Sequence, residues 1–151
     1  MNIAKIYKML RDRAVADTGS GGLFNASSAF KLSDWYTAVA NRSATAPYVV
    51  QSIASAVAED TFGSEVVPIR VRFAVWTAIE DGLDKPSAIM RRIYGDATQT
   101  GSITHGFHRW VPTLTSSYGW SATAMRYVST AENHDDDWFC FIPEYEFVLT
   151  R

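Results

Sequence analysis

Residues 66–78, VVPIRVRFAVWTA, constrain the fold more than any other segment. Val67, Ile69, Val71, Phe73 and Val75 alternate with Pro68, Arg70, Arg72, Ala74 and Trp76. A period of two puts the first set on one side of a β-strand and the second set on the other. The chain must therefore build a sheet with one apolar face and one mixed face. The run Tyr48–Ala56, rich in Val and Ile, supplies a neighbouring strand, and Pro47 stands at its start, where proline is tolerated. Glu59, Asp60, Gly63 and Glu65 read as an acidic turn region between the two, which predicts an antiparallel hairpin with a longish loop.

Two helices are expected. In residues 3–14 the apolar residues Ile3, Ile6, Tyr7, Leu10 and Ala14 share a stripe, opposite Asn2, Lys5, Lys8, Arg11 and Asp12. The glycine-rich DTGSGG segment at 17–22 stops this helix. The second helix has Asp84 as its cap, Pro86 in its first turn, and Ile89, Met90, Ile93 and Tyr94 as its stripe. Arg91 and Arg92 end it, where positive charge suits the dipole, and Gly95 stops it. Residues 23–45 show no sustained period and read as a long connection, with Ser33 able to cap a helical turn over Asp34–Ala40. Phe107–Leu114 and Thr123–Thr130 read as strands, with a turn at Ser116, Ser117 and Gly119. Glu132–Asp137 reads as a solvated acidic turn. The last strand is an apolar row from Phe139 to Leu149, with Glu144 and Glu146 on its other face; Pro143 points to an edge position or a bulge. The fold class is therefore α+β: a mainly antiparallel sheet of 4–5 strands, two helices on one face, and a long loop after the first helix. The 151 residues are read as a single domain spanning 1–151.

The totals exclude several function classes. A net charge of −2 offers no basic field for sequence-specific nucleic-acid binding. One cysteine, Cys140, rules out an internal disulfide and a multi-cysteine zinc site. Its apolar neighbours predict an inert buried thiol. No apolar run reaches membrane-spanning length, and Lys5 and Lys8 interrupt the N-terminal pattern, so a membrane span and a signal peptide are not expected. A soluble cytoplasmic product is the expectation. Gly19, Gly21 and Gly22 follow a helix rather than a strand, so they read as a linker and not as a phosphate loop. His105, His108 and His134, the last beside Asp135, Asp136 and Asp137, are the residue types of a metal hydrolase. Gly101, Gly106 and Pro112 oppose the helix that would align His105 with His108, so loop histidines and a hydrated turn are the preferred reading. Glu144 and Glu146 could do acid–base chemistry, but a solvated sheet face paired with Arg70 and Arg72 is simpler. No catalytic, cofactor or metal residue is assigned. The candidate partner surface is drawn instead from aromatics and arginines, the types enriched at interfaces: Leu23, Phe24, Phe30, Trp35, Tyr36, Arg70, Arg72 and Trp76.

Five segments carry a family resemblance: IAKIYKMLRDRA, APYVV, VVPIRVRFAVWTA, KPSAIMRRIYGD and FCFIPEYEFVLT. In order and texture the chain resembles the tail-terminator (tail-completion) proteins of long-tailed bacteriophages. The resemblance implies a non-enzymatic protein of the virion tail and neck, assembled in the host cytoplasm. It implies a ring of copies, typically a hexamer, that caps the tail tube, ends polymerisation of the tube protein and meets a head-completion or stopper protein. DNA would pass through such a ring. The same residues allow a head–tail connector or stopper of the same particle.

Overall fold

The alternation at 67–75 becomes the central strand of a mixed sheet. The computed structural model describes residues 2–56, 59–61, 64–95, 106–110 and 120–151. In chain order these form α1 (Ile3–Val15), β1 (Asp34–Thr37), β2 (Tyr48–Ala56), β3 (Glu59–Thr61), β4 (Ser64–Ala78), a 3-10 turn (Ile79–Asp81), α2 (Asp84–Tyr94), α3 (Phe107–Trp110), β5 (Ser121–His134) and β6 (Trp138–Thr150). The sheet runs β1-β2-β4-β6-β5, with β3 paired to the start of β4. All its pairings are antiparallel except β1 with β2. The α+β class read from the sequence holds.

Val67, Ile69, Val71, Phe73 and Val75 are fully buried. They lie under one layer of helices: α1 against β1, α2 against β4 and β6, and α3 against β5. α1 buries Ile6, Met9, Leu10 and Ala14, and its N-terminus is capped by the Asn2 side chain, which accepts from the Lys5 N–H. α2 buries Pro86, Ile89 and Ile93 and ends at Gly95. Gln51, fully buried on the same face, is satisfied from three directions. It accepts from Trp35 Nε1 (2.9 Å) and donates to the Tyr7 carbonyl (2.8 Å) and the Thr37 hydroxyl (2.9 Å). These bonds bind α1, β1 and β2 together and remove the cost of burying an amide.

Several expectations need correction. Residues 34–37 are a strand rather than a helical turn; pairing with β2 and the Trp35–Gln51 bond outweigh local capping by Ser33. Phe107–Trp110 is a short helix rather than the start of a strand, because Gly106 turns the chain at φ +83° and its carbonyl accepts from the Arg109 and Trp110 N–H groups. Residues 111–114, and the turn expected at Ser116, Ser117 and Gly119, lie outside the described residues. Only Asp135–Asp137 form the acidic turn, since Glu132–His134 continue β5. β6 is not an edge strand, for it lies between β4 and β5. Pro143 is accommodated where the β4 register passes from Arg72↔Glu144 to Val75↔Phe141 without a pair between. The connection 23–45 is pinned rather than loose: the Leu32 N–H donates to the Leu23 carbonyl, the Ser33 N–H to Pro47, and the Ser33 hydroxyl to Thr45.

Gly106 also packs against the end of α2. A Cβ there would lie 2.3 Å from the Gly95 nitrogen, at a φ that side chains avoid. Gly106→Ala is expected to cost about 2–5 kcal/mol, the sum of left-handed strain and overpacking. Urea unfolding reads this as a lower midpoint, and an unchanged midpoint would refute the close packing.

Candidate interaction face

The other side of the sheet carries none of the described helices. Its rows follow from register. Arg72 lies between Ser52 and Glu144, and Arg70 opposite Glu146, which in turn opposes Arg126. The side chains join into one relay. Arg72 Nε donates to Glu144 at 2.7 Å; Arg70 reaches Glu144 at 3.7 Å and Glu146 at 3.5 Å; Arg126 Nε meets Glu146 at 2.8 Å. Arg126 and Arg70 hold the Glu146 carboxyl below the usual carboxylate range. The arginine side chains are 44–67% exposed, whereas those of Glu144 and Glu146 are 10% and 18% exposed. Guanidinium groups therefore form the outer layer and the carboxylates lie beneath them.

Toward the C-terminal end of β4 the face turns aromatic. Tyr48 opposes Trp76, which opposes Cys140. The Tyr48 and Trp76 rings stack at 6.1 Å, and Tyr36 meets Tyr48 edge-on at 5.7 Å. A cleft of about 70 Å³ lies beside Trp76, lined also by Asn133, His134, Asp135, Trp138 and Cys140. Burial pushes the Cys140 thiol up to about 11, so at neutral pH it is protonated and a poor nucleophile, as its sequence context suggested.

Of the residues singled out from the sequence, Tyr36, Arg70, Arg72 and Trp76 come together on this face. Leu23 and Trp35 do not: they are 0% and 1% exposed and belong to the core. Trp35 packs on Phe73 and Phe107, and Phe24 and Phe30 are half-buried against the same core. A segment without periodicity hid its core contacts, which are made one residue at a time. Arg126, Tyr48 and Trp138 join the face unforeseen, because only register places them there. Glu144 and Glu146 pair with Arg70 and Arg72, as cross-strand reasoning suggested.

His108 lies against Tyr94 and His134 against Phe139, on different elements; His105 is outside the described residues. Among the described residues no group of three His, Cys, Asp or Glu side chains is placed to hold a metal ion. Among them, too, no helix is long and apolar enough to cross a membrane. No protein-family model matches the chain, and no curated protein matches it significantly.

Proposed function

We propose that this chain is a non-enzymatic subunit of a phage tail-terminator ring, which caps the tail tube and offers a surface to the neck. The observation that carries the reading is the sheet face clear of the described helices, with its ordered Arg–Glu relay beside an aromatic row. Arg, Tyr and Trp dominate binding energy at protein interfaces, since each offers a large contact area together with a polar handle. A relay ordered before any partner arrives lowers the entropy cost of docking.

The test is to mix the purified chain with its cognate tail-tube protein. Light scattering and electron microscopy are expected to find rings of the chain and tubes ended by such rings. A chain that stays monomeric and neither binds nor caps tubes would overturn the proposal. A ring located above the tube, against the head, would assign it instead to a connector or stopper of the same particle.

A further inference from the structure

The open face is unevenly charged along its strands. Arg70, Arg72 and Arg126 occupy its middle, and the aromatic row follows. The sheet then ends where the Ile79 N–H bonds to the Asp137 carbonyl. That end is acidic. The 3-10 turn brings Glu80 and Asp81, α2 begins with Asp84, and the β5–β6 hairpin brings Glu132, Asp135, Asp136 and Asp137, all exposed. Lys85 offsets one of these charges through Asp81 at 2.8 Å. Asp135 shapes the turn by accepting from the Asp137 and Trp138 N–H groups, each at 2.8 Å.

From Arg72 to Ile79 the strand advances roughly 23 Å at about 3.3 Å per residue. Screening at physiological salt acts over about 8 Å. Glu144 and Glu146 already offset two of the three arginine charges, so the relay keeps one excess positive charge, presented by an outer layer of guanidinium groups. The acidic end of the same chain is too distant to offset it further, and the two patches have opposite sign. We infer that the acidic end of one copy seats on the arginine relay of the next. The inference rests on the self-association in the function proposed above and names its contact. Two different patches on one chain make a head-to-tail interface, the type that closes into a ring when its rotation permits. Trp76 and Tyr48 border the relay and supply apolar area beside the charges, as a binding centre needs.

The test uses the full chain in sedimentation at low and high salt. Wild type is expected to self-associate, and more weakly as salt rises. The variant E132K/D136K/D137K keeps Asp135 and so keeps the turn; its association should weaken at least about tenfold, with an unchanged unfolding midpoint. The second variant, R70Q/R72Q/R126Q/E144Q/E146Q, removes the relay without stranding a buried carboxylate and should weaken association equally. If either variant associates like wild type, the inference falls. A wild type that still rings or caps tubes then leaves the proposed function standing. If wild type is monomeric at both salts, the inference also falls, and tube capping alone judges the function. A relay variant that loses tube binding while self-association persists would assign this face to the tube protein and overturn the inference.

Discussion

Replacing Asp17 by Ala is expected to lower the unfolding free energy by about 3–5 kcal/mol, the usual cost of stranding one member of a buried ion pair. Arg92 Nε and Nη2 donate to the two Asp17 oxygens at 2.8 and 2.7 Å, and the side chains are only 13% and 6% exposed. The same carboxylate accepts from the Leu23 N–H at 2.9 Å, and the Asp17 carbonyl accepts from Phe24 at 3.0 Å. One residue thus ties the end of α1, the start of the long connection and α2. Ala would leave a guanidinium and an amide without their carboxylate partner in a largely buried site. The double variant D17A/R92A should recover part of the loss, because no charge is then stranded. Urea unfolding of the four proteins checks this, and equal, additive losses would refute the coupling. The open face provides the contrast. Its Arg126–Glu146 pair is as short, but Arg126 is 67% exposed, so solvent screening leaves it little effect on stability.

Phe73→Ala is expected to cost about 3–5 kcal/mol, from lost transfer energy plus the cavity left behind. Phe73 is fully buried at the middle of β4. Its ring lies 5.3 Å from Trp35, 5.3 Å from Phe107 with the planes 5° apart, and 5.8 Å from Tyr145. It thereby joins β1, α3 and β6, which lie far apart in sequence. The loss should be felt most in α3, only four residues long and held by Phe107 and Trp110. Amide exchange is expected to rise there before it rises in β4. Phe73→Leu, which keeps most of the volume, should cost under about 1.5 kcal/mol. Equal costs for the two substitutions would mean that the site collapses around the gap.

The three strongest periodic signals each became an element, although Ile3 of the first helical stripe is 46% exposed and Met9, outside that stripe, is buried. The alternation of 67–75 became the buried row of β4, and the stripes of 3–14 and 84–94 became α1 and α2, because each pattern has one buried face and one period. Aperiodic segments did not translate. In residues 23–37, Leu23, Leu32 and Trp35 each reach the core singly, so no spacing announces them. Asp17 and Arg92 read locally as a turn former and a dipole partner; their pairing spans 75 positions and needs both helices in place. The helix at 107–110 depends on the conformation of Gly106 and on the cavity its aromatics fill, neither of which a four-residue window carries.

Hydrophobic period, a local property of the chain, was enough to establish an apolar-faced sheet, two amphipathic helices and an α+β arrangement; capping was less local, for Asp84 stands in the first turn of α2 and Leu83 takes the cap position without a side-chain bond. The same period also placed Arg70, Arg72 and Trp76 on the mixed face of one strand. That the mixed face stays clear of the described helices, and that β6 is central, follows from strand pairing and from the packing of the helices. Only that pairing and packing brought Arg126 to complete the relay and put Trp35 in the core. Those outcomes depend on which strands pair and in what register. A shift of one residue would turn every side chain of a strand to the opposite face, and long-range packing, not local pattern, selects the register.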